Sequence, residues 1–315
     1  MKTMPHGTET PLVTIVTPAR NAAEDLPGAL ESVRSQGIDK FQHIVVNDGS
    51  TDGTDAVLTD ASRNDCRIMQ LHSDGIGPAA ARNLAIKHAE APLIAFLDAD
   101  DRWRPGKLAR QVAFHETHSD VLLSFTDYEH FTPAGQSLGL AFPFWPLYKA
   151  LPQTGADFGR IENSAPLIFA ENAVGTSTVV IRKDAFEASG GFDPDLRSAS
   201  DWELWLRLAL RGPAAYSTEP AMDYLVMPGS VTSNRALRIS CMNSIVETYE
   251  PLIAPMDRHA VRAAKARIDI ARAEMARETG DHSQSLRFHL RALRANPTRR
   301  TARSAIADMR NLLVA

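Results

Sequence analysis

Between residues 12 and 101 the chain repeats one pattern: a short run of β-branched and apolar residues, then a longer stretch whose apolar residues recur at three- and four-residue spacing. Residues 12–17 read as a buried strand and 18–22 as a loop. Residues 24–36 put Leu26, Leu30 and Val33 on one helical face, and Gly37 closes that helix. Strands follow at 41–46, 67–71 and 92–97, separated by helical stretches at 55–62 and 78–88. Strand, helix, strand in this rhythm predicts an α/β fold, a mostly parallel sheet covered by helices on both faces. Ligands bind such sheets outside the carboxyl ends of the strands, where Asp48 and Asp98 both fall.

The rest of the chain is less regular. A helix is expected at 104–118, a strand at 121–126, site-bordering loops over 132–172 and a strand at 176–182. Residues 199–210 form an amphipathic helix with Trp202, Trp205, Leu206 and Leu210 inward and Asp201 in its first turn. From Arg235 the pattern is helical throughout, which divides the chain into 1–234 and a basic α-helical extension, 235–315. Residues 280–297 resemble the second half of a tetratricopeptide repeat in turn and spacing. One copy builds no solenoid, so a helical cap packed on the preceding domain is the expected arrangement.

Three aspartates, Asp98, Asp100 and Asp101, stand directly after the apolar run 92–97. Two ionised carboxylates about 4 Å apart repel by roughly 4 kcal/mol at an effective dielectric of 20, so such a cluster asks for a cation. Mn²⁺ or Mg²⁺, hard ions that also hold phosphates, suit these oxygen ligands. A solvated turn capping a helix that begins near Trp103 and Pro105 is the other arrangement open to it.

Composition narrows the class. At 315 residues, with 44% hydrophobic and 23% charged, the chain suffices for one large domain and an appendage. No stretch reaches the roughly 20 apolar residues of a membrane span, and residues 1–10 lack a signal-peptide core, so a cytoplasmic protein is expected. Cys66 and Cys241 are too few for a disulfide framework. The net charge of −4 hides an excess of seven positive charges in residues 235–315 against eleven negative ones before them. On the tail, Arg287, Arg291 and Arg294 lie beside an apolar stripe of Leu286, Leu290 and Leu293, a pattern that fits either a solvated face or an anionic membrane. Nothing in it favours nucleic acid, because aromatic residues are not interleaved.

Five motifs occur in order: Thr17-Pro18-Ala19-Arg20-Asn21; Val45-Val46-Asn47-Asp48-Gly49, running on to Thr54; Gly75-Ile76-Gly77-Pro78, running on to Asn83; Leu97-Asp98-Ala99-Asp100-Asp101; and Ser200-Asp201-Trp202-Glu203. Together they make residues 10–234 resemble a family 2 glycosyltransferase of the inverting, non-processive kind. The resemblance implies the GT-A fold, a Rossmann-like sheet, here with a C-terminal α-helical extension. It implies an enzyme that moves one sugar from a nucleotide-sugar donor, UDP-linked, to a hydroxyl of a glycan or lipid-linked acceptor in surface polysaccharide or glycolipid assembly.

Roles carry over residue by residue. Thr17, Pro18, Arg20, Asp48, Gly77, Arg82 and Asp98 would bind the nucleotide, and Asp100 the metal, Mn²⁺ or Mg²⁺, that holds the diphosphate. Asp101 is read as a cap of the following helix, with a role beside the site as the alternative. Asp201 matches the catalytic base, which a hydroxyl nucleophile requires at neutral pH. Trp103, Trp202 and Glu203 are candidates for the acceptor, because aromatic faces suit sugar rings, although Trp202 and Trp205 are equally explained as core. Two departures stand out. Ser200 precedes the base where the family often has Glu, and Leu225 and Met227 replace an arginine and a histidine of a downstream motif. These replacements motivate a second reading, a catalytically weak sugar-nucleotide-binding or scaffold protein. A third, sugar nucleotidyltransfer, calls for a basic glycine-rich loop after the first strand, which residues 17–21 do not supply. The Gln-x-x-Arg-Trp mark of processive members is absent.

Overall fold

The computed structural model describes residues 10–226 and 234–314. β1 (Val13–Ala19), β2 (Phe41–Asp48), β3 (Ile68–Ser73) and β4 (Leu93–Phe96) alternate with α1 (Leu26–Arg34), α2 (Thr54–Asn64) and α3 (Pro78–Ile86). β1 runs parallel to both β2 and β4, and β2 parallel to β3. Every residue of β2 and β4 is buried, as strands covered on both faces must be. β1 continues through Pro18 and Ala19, which pair with Val46 and Asn47, so the loop expected from residue 18 begins only after Ala19.

After β4 come β5 (Arg102–Trp103), α4 (Lys107–Thr117), β6 (Leu123–Phe131), β7 (Ser137–Leu140), α5 (Ala141–Phe144), α6 (Pro146–Lys149), β8 (Gly159–Ile161) and α7 (Ala165–Ala170). A 3-10 turn (Thr176–Thr178), β9 (Val180–Arg182), α8 (Lys183–Ser189), α9 (Ser200–Ala209) and β10 (Ala214–Leu225) follow. Among the described residues the sheet order is β3-β2-β1-β4-β9-β6-β10-β5, with β7 along β6 and β8 along β10. β9 lies antiparallel between β4 and β6, whereas β6 and β10 are parallel.

Three local expectations are corrected. The helix expected from residue 104 starts at Lys107, because Arg102 and Trp103 pair with Asp223 and Met222 of β10 and Gly106 then turns the chain at φ 80°. Residues 176–182 are half turn and half strand. The segment 132–172 contains β7, α5, α6, β8 and α7, elements of three to six residues that are too short to show a period. In the core, the Phe96 ring meets Phe192 edge-on at 5.5 Å and Trp205 at 5.4 Å, while Leu206 is fully buried and Leu210 partly so.

The chain forms two compact units. One holds the whole sheet: described residues up to 164, with 173–195 and 204–226. The other holds 165–172, 196–203 and the chain from 234 onward, namely α10 (Arg235–Ile253), α11 (Arg258–Glu278), α12 (His282–Ala295) and α13 (Arg299–Val314). Asn234, Asp257 and Asp281 cap α10, α11 and α12 through side-chain oxygens. Gly280, at φ 78°, makes the turn between α11 and α12. Within this unit the buried carboxylate of Asp308 accepts hydrogen bonds from Arg277 Nε (2.8 Å) and Ser285 Oγ (2.7 Å) and meets His289 Nδ1 at 2.6 Å.

Candidate active site

The site in the sheet unit gathers at the carboxyl ends of β2, β1 and β4. Asp48 is the last residue of β2, and one of its carboxylate oxygens accepts from Ser73 Oγ (2.7 Å) and the Ile76 N–H (2.8 Å). Its other oxygen accepts from the Gly77 N–H (2.8 Å). Burial pushes the Asp48 carboxyl upward, but these three bonds and the Arg20 charge outweigh it, and the group stays below the usual carboxylate range. The bonds fix the 73–77 loop onto the strand end. Gly77, at φ 86° and ψ 161°, occupies backbone space open only to glycine and leads into α3. A Cβ at Gly75 would sit 3.5 Å from the Arg20 guanidinium, so this loop carries Arg20 across it. The Thr17 hydroxyl is fully buried and 2.9 Å from His43 Nε2, which leaves its backbone, with that of Pro18, as the part able to meet a ligand.

At the end of β4 the three aspartates separate by environment. Asp98 forms an ion pair with the buried Arg82, whose guanidinium lies 5.4 Å from the Phe192 ring centroid. Asp100 is pushed up to about 6, first by burial and then by the neighbouring Asp98 charge, with Arg102 acting against both. Asp101 is buried and stands well above the usual carboxylate range, again through burial first and then Asp100 and Asp98.

The expected helix-capping role of Asp101 is corrected. Its Oδ2 accepts from Ser177 Oγ at 2.5 Å, its Oδ1 has no hydrogen-bond partner, and α4 begins six residues later behind Gly106. Ser177 also accepts the Asp98 N–H at 2.9 Å, and its carbonyl accepts Trp103 Nε1–H at 2.6 Å. One residue of the 3-10 turn thereby holds three points of the acidic loop.

Among the described residues no three His, Cys, Asp or Glu side chains gather into a set able to enclose a metal ion. Asp100 fits another coordination, in which Mg²⁺ or a similar ion takes one or two carboxylates and completes its shell with substrate phosphates and water. A carboxyl raised to about 6 by burial and then by a second carboxylate is a group that a bound cation would stabilise in its ionised form.

The last candidates lie on the first turn of α9, in the helical unit. Ala199 precedes that helix at φ 60°, a left-handed conformation that costs a residue with a Cβ roughly 1–2 kcal/mol. Asp201 Oδ1 accepts the Trp202 N–H at 2.8 Å. Trp202 is fully buried, donates Nε1–H to the Ile168 carbonyl at 2.6 Å and lies 4.6 Å beneath the Arg267 guanidinium. Glu203 is buried and accepts a short bond from the Tyr249 hydroxyl. Trp103 is 3% exposed, with Lys107 Nζ 4.3 Å above its ring. All three side chains proposed to meet the acceptor are buried and bonded within the fold, Trp103 and Trp202 to backbone carbonyls and Glu203 to the Tyr249 hydroxyl. Leu225 ends β10, whereas Met227 lies outside the described residues.

The model of glycosyl transferase family 2 matches residues 14–156. A putative teichuronic acid biosynthesis glycosyltransferase, TuaG, of Bacillus subtilis (strain 168) is 30% identical over 230 residues, 71% of this chain and 83% of that protein. The chain belongs to glycosyl transferase family 2. It is a glycosyltransferase. The UDP-Glc:alpha-D-GlcNAc-diphosphoundecaprenol beta-1,3-glucosyltransferase WfaP of Escherichia coli is 26% identical over 239 residues, 75% of this chain and 86% of that enzyme. The mannosyltransferase PcManGT from Pyrobaculum calidifontis, solved with GDP-Man and Mn²⁺, shares the fold at a TM-score of 0.64 and 19% identity, covering 98% of this chain and 82% of that one.

Two residues that hold the acidic loop of this glycosyltransferase escaped the sequence reading. Ser177 sat in a stretch read as plain strand, and nothing local marks a serine that acts across 76 residues. Arg102 did leave a trace. Gly28, a poor residue for the interior of α1, leaves room for the Arg102 guanidinium as it lies here, since a Cβ there would fall 2.2 Å from Arg102 Nε. Arg102 then lies 3.9 Å from Asp25 and lowers the cost of ionising Asp100.

Proposed function

We propose that this glycosyltransferase transfers one sugar, with inversion and with the help of a divalent metal, from a UDP-sugar to a hydroxyl on a glycan or lipid-linked acceptor in surface polysaccharide assembly. The observation that carries the reading is the juxtaposition at the strand ends: the Asp48-anchored loop with Arg20 beside it, and the Asp98–Asp101 run with Arg82. A nucleoside diphosphate offers a base and ribose that want acceptors and fixed backbone, and phosphates that want cations. Asp48 Oδ2, with one hydrogen bond in place, retains capacity for a base N–H. The guanidinium groups of Arg20 and Arg82 supply donors for ribose or phosphate oxygens. Asp98 would orient the ribose, and the backbone of Thr17 and Pro18, with Gly77, would lie along the base. Asp100 is the protein ligand of choice for Mn²⁺ or Mg²⁺, which when bound supplies positive charge to the departing diphosphate.

In the transfer, the acceptor oxygen attacks the anomeric carbon from the side opposite the leaving group. Its proton passes to the Asp201 carboxylate as the anomeric C–O bond to the diphosphate breaks, and an α-linked donor yields a β-glycoside. The UDP and lipid-linked preferences rest on the WfaP likeness, and the metal on Asp100 with the Mn²⁺ found in PcManGT. A hydrolysis and transfer screen of nucleotide sugars with Mn²⁺ tests the whole reading. Asp201→Asn should abolish transfer while leaving UDP affinity within about twofold. Transfer that survives Asp201→Asn removes the base assignment, and UDP binding indifferent to Mn²⁺ in both wild type and Asp100→Asn removes the metal.

A further inference from the structure

We infer that the outer face of α13, continued by α12, is a docking surface for an anionic phospholipid membrane. Residues 282–314 carry seven arginines and a single acidic residue, Asp308, whose carboxylate is buried and bonded to Arg277, Ser285 and His289. The exposed part of the two helices is consequently basic without interruption. On α13, Arg299, Arg303, Ile306, Arg310 and Leu313 follow at four- and three-residue steps, so they line one stripe, and Met309 borders it. Thr301, Ala305 and Asp308 turn the opposite side inward.

Large apolar side chains stand out in water along this face. Ile306, Met309 and Leu313 are 45%, 42% and 86% exposed, and Leu290 of α12 is 51% exposed. Isolated exposed leucines need no explanation, but a row of them flanked by arginine, with no exposed carboxylate, matches an interfacial helix. The apolar side chains enter the acyl boundary while guanidinium groups meet lipid phosphates. Nucleic acid fits less well. The only aromatic residue of the two helices, Phe288, lies against Arg272 and Arg291, 6.0 and 5.7 Å from their guanidinium carbons. The stripe suggested by the α12 sequence alone is also modified, because Arg291 is drawn 3.4 Å from Asp269, and α13 supplies most of the exposed apolar surface.

The test is vesicle flotation of the full chain with phosphatidylglycerol–phosphatidylcholine vesicles against pure phosphatidylcholine, at low and high salt. The wild type should float with the anionic vesicles, at least tenfold more than with neutral ones, and salt should release it. Arg303→Glu/Arg310→Glu, and separately Ile306→Ser/Leu313→Ser, should each cut binding tenfold or more with donor hydrolysis and circular dichroism unchanged. No flotation at low salt, equal flotation on neutral vesicles, or variants that float like wild type would overturn the inference. So would a concentration-dependent dimer in sedimentation velocity that the same variants dissolve, since the face would then belong to a second copy. Flotation is read without catalysis: a chain that floats but turns over no nucleotide sugar refutes the functional reading and leaves this one standing.

Discussion

Replacing Ser177 by alanine isolates the clamp on the acidic loop. The serine hydroxyl accepts the Asp98 N–H at 2.9 Å and donates to Asp101 Oδ2 at 2.5 Å, and the other Asp101 oxygen already lacks a partner. The site is buried, so neither group regains a full set of water contacts. Leaving a buried polar group unsatisfied costs about 1–3 kcal/mol, and two such groups should cost about 2–4 kcal/mol in urea unfolding. Stability alone does not separate positioning from packing. Calorimetric titration of UDP with Mn²⁺ does, because a loop freed from its clamp must be reordered by the ligand. A tenfold weaker Kd corresponds to about 1.4 kcal/mol, well within the disruption expected. Ser177→Thr restores the hydroxyl and should recover most of the affinity. If Ser177→Ala unfolds within about 0.5 kcal/mol of wild type and binds UDP and Mn²⁺ as tightly, the clamp is not what holds Asp98 and Asp101.

Two further expectations concern protons. With Asp100 held at about 6 by burial and Asp98, protons compete with metal at that carboxylate below this pH; the Mn²⁺ concentration that half-saturates UDP binding should rise about tenfold per pH unit lost, and a flat response from pH 6.5 to 5 would contradict the assignment. His43, lowered to about 3 by burial, stays neutral where the unfolded chain titrates near 6.5, so its contribution to stability is complete above pH 6.5 and is lost as pH falls toward 3. By pH 5 that amounts to about 2 kcal/mol. Asp100 and Asp127, both raised to about 6 by burial, act in the opposite sense, so the difference from His43→Gln, which keeps an amide partner for Thr17, is the quantity to measure. Equal pH slopes for variant and wild type would refute it.

The parallel half of the sheet was legible because its information is local. β1, α1, β2, α2, β3, α3 and β4 each carry their own period and stop signals, and the structure moves their ends by three residues or fewer. Strand direction is not local. Nothing in residues 180–182 says that β9 runs against β4 and β6, because pairing partners lie some 60 to 90 residues away. The same limit applied to the acidic run. Asp98 and Asp100 could be noticed, but Asp101 looked like a cap because capping is a short-range rule, whereas its partner Ser177 belongs to another part of the sheet unit. Trp103, Trp202 and Glu203 illustrate a third limit: aromatic and acidic side chains suited to sugar are equally suited to a core, and no local pattern announced that the fold buries all three.

The carboxylate of Asp308 makes the tail helices an all-or-none affair. Bonds from Arg277 on α11 and from Ser285 and His289 on α12 converge on a residue seven positions from the chain's last. A chain that ended before residue 308 would leave a buried hydroxyl and imidazole on α12, and a half-buried guanidinium on α11, without their shared partner at once. Loss of these few residues should therefore propagate back through two helices rather than fray one end, and the three helices should protect their amides from exchange as a single cooperative block.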